Sequence, residues 1–182
     1  IVMGLYLTCA AGTLAAIFID RFPSAVGFAC GTLGFILQVA LLIIRWRASG
    51  HLPVTGLFET QHFLALWVAA AALYFHLRYK IINFLPAIFL LSSLALFFAG
   101  RGPKTIIPLT PAIDTPLFLI HVATSFAAYG LFGTAALAGM YQLTGIALTR
   151  DKQDQRIMDE CLYIGFILFT TCMIAGSLWA YL

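Results

Sequence analysis

Between Leu117 and Leu148 the chain carries no Asp, Glu, Lys or Arg. At about 1.5 Å of rise per helical residue, that run more than crosses a hydrocarbon core about 30 Å thick. In lipid every backbone polar group must be satisfied within the protein, so residues 115–149 are predicted to form one membrane helix. A single imidazole, His121, falls one turn inside its N-terminal end. A polar side chain there is costly unless it has a partner or a ligand.

The rest of the chain agrees with that environment. It is 62% hydrophobic and 9% charged, with a mean hydropathy of +0.99, which leaves too little polar surface to coat a soluble globule. The expected fold class is all-α: a polytopic transmembrane helix bundle of about six membrane helices, with residues 1–182 as a single domain. The lipid bilayer is its first partner. The net charge of +3 is spread over loops, with no block of like charges and no interleaving of aromatic and basic residues, which excludes a nucleic-acid grip. Cys9, Cys30, Cys161 and Cys172 lie in apolar segments without C-x-x-C spacing and read as small buried hydrophobes.

In chain order, helices are predicted over residues 2–19, 25–44, 57–77, 81–99, 115–149 and from 157 to the end. The first is closed by Asp20-Arg21-Phe22-Pro23, the second by Arg45-Trp46-Arg47, which suits the headgroup zone. Pro86 falls one turn into the fourth helix, where a missing N–H matters least. Residues 104–116 hold Pro108, Pro111 and Pro116 and are predicted to form a lid or re-entrant segment on the membrane surface. The charge run from Arg150 to Arg156 is predicted to be a solvated break. Because the chain opens with Ile1 and stops inside an apolar run, it is read as a segment of a longer one.

Basic residues sort weakly between the two faces. Arg21, Arg78, Lys80, Arg150, Lys152 and Arg156 fall on one side; Arg45, Arg47, Arg101 and Lys104 fall on the other. The positive-inside tendency then puts His51, the proline-rich loop, His121 and the end of the last helix on the outer face.

His121 is the foremost candidate for a haem or metal ligand, since neutral imidazole is the form that coordinates. A helix-end histidine bonded to a loop carbonyl is the competing reading. Ser125 and Ala128 on its face are expected to leave room for a flat ligand, whereas Gly130, Thr134 and Ala138, spaced by four, mark a close helix contact. Glu59 and His62 form a Glu-x-x-His pair, but a di-iron site needs a second copy that the chain lacks. Glu59 is read either as a proton-carrying group or as a capped helix start. His51 is a loop candidate, and His76, beside Arg78 and Lys80, is expected to snorkel at the inner interface.

Three segments carry a resemblance. Gly50-His51-Leu52-Pro53 with Leu57-Phe58-Glu59-Thr60, Phe63-Leu64 and Trp67 is the first. Pro116-Leu117 through His121-Val122 to Tyr129-Gly130 is the second. Asp159, Ile164-Gly165-Phe166, Thr170-Thr171 and Gly176-Ser177-Leu178-Trp179-Ala180 make the third. In this order they resemble the cytochrome c assembly family, which includes the system II cytochrome c synthase membrane subunit (CcsA, also called ResC), the haem-delivery protein CcmC and the HemX proteins.

The resemblance implies an integral protein of a bacterial cytoplasmic or thylakoid membrane that holds b-type haem non-covalently and transiently. That haem is presented at the outer face to apocytochrome c, within a cytochrome c synthase complex that contains a ResB-type membrane subunit. It implies His121 as the axial ligand to haem iron. The family's tryptophan-rich haem segment would begin where this sequence ends, and its second external histidine is absent here. Arg45, Arg47, Arg101 and Lys104 are candidate partners of the haem propionates. Two other classes stay open: a respiratory anchor subunit binding haem b or quinol, and a HemX-like regulator or scaffold.

Overall fold

In a computed structural model the chain is a helical membrane bundle, described for residues 1–19, 24–80, 84–106, 108–143 and 152–182. Its helices are α1 (Val2–Phe18), α2 (Ser24–Ser49), α3 (Leu57–Tyr79), α4 (Leu85–Arg101), α5 (Pro116–Leu143) and α6 (Lys152–Tyr181). Three are long and apolar enough to cross a membrane, over Ala25–Ser49, Pro116–Leu143 and Asp154–Tyr181; α1 and α4 are shorter apolar helices. Only 28%, 33% and 22% of the three spanning windows is buried inside the protein. The remainder presents Leu33, Ile36, Ile44, Met140, Phe166, Ile167 and Ile174 outward, a surface suited to lipid and not to water.

Helix α1 packs on α2 and α4, while α3 packs on α2, α4 and α5; α6 joins the bundle by packing along α5. Alanines make the central contacts possible. Ala65, Ala69 and Ala72 of α3 are fully buried, and such small residues let helix backbones approach where lipid supplies no hydrophobic drive to pair them. Around them Tyr6, Phe75, Phe84, Leu85, Ile88 and Phe89 fill the core. The Gly130, Thr134 and Ala138 stripe on α5 is buried as expected, and a Cβ on Gly130 would meet Trp67 Cβ at 3.1 Å.

One buried polar chain crosses this core. The Tyr6 hydroxyl donates to Gln38 Oε1 at 2.5 Å, and Gln38 Nε2 donates to the His62 carbonyl at 2.8 Å. Three helices are thereby tied by groups that could find no water at that depth.

Several predicted boundaries move. Arg45, Trp46 and Arg47 do not end α2 but lie within it, since long cationic side chains reach the rim from inside a helix. The helix ends at Ser49, whose hydroxyl bonds the Trp46 carbonyl at 3.1 Å. Likewise α4 continues through Gly100 to Arg101, starting after Phe84 with its proline in the first turn. The later part of the predicted charge run is the first turn of α6, where Asp154 suits the positive end of the helix dipole and is buried. The closure at residues 20–23, the start of the fourth helix at 81–83 and the end of the fifth at 144–149, with Arg150 and Asp151, lie outside the described residues.

Candidate functional site

The C-terminal ends of α2, α4 and α6 meet the N-terminal ends of α3 and α5 at one end of the bundle. Two contacts join them through the proline-rich loop: Arg45 Nη2 donates to the Lys104 carbonyl at 3.0 Å, and Trp179 Nε1 donates to the Ala112 carbonyl at 2.7 Å. The loop itself is turned by the amides of Ile113 and Asp114 bonding back to the Thr110 carbonyl.

His121 lies between α5 and α6. Its Nδ1 is 2.9 Å from the Cys172 carbonyl oxygen. A carbonyl only accepts, so Nδ1 carries the proton; in the neutral imidazole Nε2 is then the nitrogen with the lone pair. Cys172 Sγ is 3.3 Å from the same nitrogen and 2.8 Å from Ser125 Oγ, while Ser125 Oγ donates to the His121 carbonyl at 2.6 Å. The Trp179 indole is near-parallel to the imidazole, with centroids 6.4 Å apart, and Phe118 packs on the indole at 5.2 Å. His121, Met173, Gly176, Ser177 and Trp179 line a small cleft. The competing reading expects a loop carbonyl; the bond from Nδ1 goes instead to a carbonyl of the neighbouring helix α6.

The open space predicted beside Ser125 and Ala128 is not there. Both residues are buried, and Cys172 of α6 covers Ser125. The opening that His121 does line is the cleft on the α6 side.

Glu59 is a helix cap joined to an ion pair. Its Oε2 accepts from the amides of Thr55 at 3.0 Å and Gly56 at 3.2 Å and from the Thr55 hydroxyl at 3.2 Å. Its Oε1 pairs with Arg45 Nε at 2.9 Å. Gly56 has no side chain, so the carboxylate supplies only its own half of a capping box. Every neighbour is a donor, the arrangement of a structural carboxylate. Arg45 also lies 4.9 Å above the Phe58 ring, so its Nε, its Nη2 and its face all have neighbours.

The other candidates are placed as follows. His62 is buried edge-on to Phe58 at 4.4 Å, and its Nδ1 has no hydrogen-bond partner among the described residues. His51 Nδ1 faces the Leu52 carbonyl at 3.0 Å; the residue lines a pocket under the loop with Asp114 and Phe118. Arg47 and Lys104 are exposed at this end, and Arg101 lies 4.9 Å from the Phe97 ring. His76, at the far end, packs on Phe28 at 4.4 Å. There Tyr79 and Arg78 meet Glu160 of α6, the tyrosine by a hydrogen bond and the arginine at 3.5 Å. No group of three or more His, Cys, Asp or Glu converges as metal ligands among the described residues.

Sequence reasoning missed the seat under His121. Cys172, Gly176 and Trp179 are spaced i, i+4 and i+7, so they form one stripe of α6 that periodicity could have flagged.

The family model for cytochrome c assembly proteins matches residues 4–182. The chain belongs to that family. Among curated relatives, this cytochrome c assembly protein is 27% identical over 164 residues to a cytochrome c biogenesis protein CcsA of Chlamydomonas reinhardtii, covering 80% of this chain and 46% of the relative. A protein of the same name from Mesostigma viride is 27% identical over 198 residues, covering 82% and 63%. Another, from Prochlorococcus marinus (strain MIT 9301), is 23% identical over 205 residues, covering 92% and 66%. The chain therefore spans about half to two thirds of the length of these relatives.

Proposed function

We propose that this chain is the haem-handling part of a cytochrome c biogenesis protein, one that holds haem at the outer end of the bundle and presents it to apocytochrome c. The observation that carries the reading is the His121 geometry. An imidazole whose Nδ1–H is taken by the Cys172 carbonyl is fixed in the tautomer that offers Nε2 to a metal, the arrangement in which histidine ligands are commonly oriented. The donor set fits one axial position. Bound haem supplies the porphyrin edge to which the apocytochrome thiols are joined.

The chain's own residues do the holding. His121 would ligate the iron, while Trp179 lies near-parallel to the imidazole and anchors the proline-rich loop. Arg47, Arg101 and Lys104 are the exposed cations available to propionates, whereas Arg45 supports the rim through Glu59. His51 and His62 are the chain's other imidazoles at this end that would be able to bind haem iron. A ResB-type membrane subunit and apocytochrome c are the proposed partners, in a bacterial cytoplasmic or thylakoid membrane.

The test is the haem absorbance of the full-length protein purified in detergent. His121→Ala is expected to lose or strongly weaken the Soret band. An unchanged band removes His121 as a ligand and this reading with it.

A further inference from the structure

Gly176 is the point of closest approach between α6 and the His121 ring. A Cβ on this residue would lie 2.5 Å from Nδ1, 2.8 Å from Cε1 and 3.3 Å from Cγ. The first two distances are inside any real non-bonded contact, so a side chain and the ring cannot share the space as it stands. Nor is the ring free to give way. Its Nδ1 is held 2.9 Å from the Cys172 carbonyl, one turn earlier on α6, and the Trp179 indole lies near-parallel to it one turn later.

A glycine inside a helix costs about 1 kcal/mol relative to alanine, so its place here calls for a reason. Other described glycines give space to packing: Gly130 to the Trp67 backbone, Gly165 to the Phe132 ring and Gly34 to the Tyr6 ring. Among the described glycines, Gly176 alone gives its space to an imidazole.

We propose that Gly176 is a positioning residue for His121: its bare Cα lets the imidazole lie against α6, so that Nδ1–H reaches the Cys172 carbonyl and Nε2 is left as the only nitrogen able to bind iron. The iron clause rests on His121 being the haem ligand. The tautomer clause does not. Carbonyl, bare Cα and indole form successive steps of one helical stripe, and each constrains the same ring.

The two clauses are separated by measuring the haem-free and the haem-loaded full-length protein. In the haem-free protein carrying 15N-histidine, NMR reports which ring nitrogen is protonated, and His121→Ala assigns the signal. The expected result is a single Nδ1–H tautomer in the native protein and its loss or mixing with the Nε2–H form in Gly176→Ala. In the loaded protein, Gly176→Ala is expected to weaken the Soret band or shift the haem midpoint potential. Gly139→Ala, whose Cβ would meet only Met158 Sδ at 3.7 Å, is expected to change neither.

An Nε2–H tautomer in the native protein overturns the proposal even if Gly176→Ala fails to fold. So does a folded Gly176→Ala that keeps both tautomer and spectrum while His121→Ala loses the band. If His121→Ala leaves the Soret band intact but Gly176→Ala alters the tautomer, the ligand reading fails and the seat stands.

Discussion

The Arg45 guanidinium bridges two segments that are far apart in the chain, with Nε 2.9 Å from Glu59 Oε1 and Nη2 3.0 Å from the Lys104 carbonyl. The Glu59 side chain is 2% exposed and that of Arg45 15%, so the carboxylate depends on the guanidinium and the backbone amides around it. Removing one member of such a pair costs about 3–5 kcal/mol. Glu59→Ala and Arg45→Ala are each expected to destabilise the protein by about that amount. The double variant should lose less than the sum, by more than about 1 kcal/mol. Unfolding in detergent followed by circular dichroism checks this, and additive losses would show that the two residues are not coupled.

Tyr6 and Gln38 make a second test of the interior. Tyr6→Phe leaves Gln38 Oε1 buried without its donor, at an expected cost of about 1–3 kcal/mol. For a chain of this size that corresponds to a fall in melting temperature of about 2–4 °C per kcal/mol. Tyr6→Phe combined with Gln38→Leu should recover part of the loss, although the His62 carbonyl then lacks the Gln38 amide. A melting temperature unchanged by Tyr6→Phe would mean the hydroxyl contributes nothing.

Trp179→Phe keeps an aromatic ring over His121 but loses the indole N–H that reaches Ala112. One net hydrogen bond of about 1 kcal/mol corresponds to about fivefold in a local opening equilibrium. The amides of Ile113 and Asp114, which close the loop turn, should therefore exchange with deuterium about fivefold faster. Equal exchange rates in both proteins would remove Trp179 as the tie that holds the loop.

Exposed cations are judged by salt. Replacing Arg47, Arg101 and Lys104 together with glutamine is expected to weaken haem retention about tenfold at low ionic strength, with a smaller difference at 1 M salt where the Debye length is about 3 Å. Arg45 is left out of the set because its loss would unpair Glu59. Haem titration in detergent reads the effect. Identical retention curves would reject these residues as propionate partners.

The fold was legible wherever one physical demand dominated. A helix must satisfy its own backbone in lipid, so uncharged runs marked helices, and the four-residue spacing of Gly130, Thr134 and Ala138 marked a buried contact before any partner helix was known. Ends were harder to read. Arg45-Trp46-Arg47 read as the close of the second helix, yet the helix runs through them to Ser49, since a long side chain carries its charge to the rim without breaking the backbone pattern.

The candidate site was legible as a residue but not as a surrounding. His121 stood out because an imidazole in an uncharged run needs a partner. What it meets is a carbonyl, a bare Cα and an indole contributed by α6, more than fifty positions away, and a backbone carbonyl leaves no trace in residue type. Arg45 illustrates the same limit from the other side. Its charge suggested a ligand partner, while its true neighbour, Glu59, sits fourteen positions on in a turn whose geometry only the fold defines.

The spacing of the Arg45 contacts also orders events during synthesis. Its carboxylate partner is made 14 residues after it and its carbonyl partner 59 residues after it. A growing chain therefore makes this cation first, its carboxylate partner next and its carbonyl partner only with residue 104. Arg45 can complete both contacts only after the fourth helix has been made, so the tie among α2, α3 and the loop after α4 is closed by the last of the three to be synthesised.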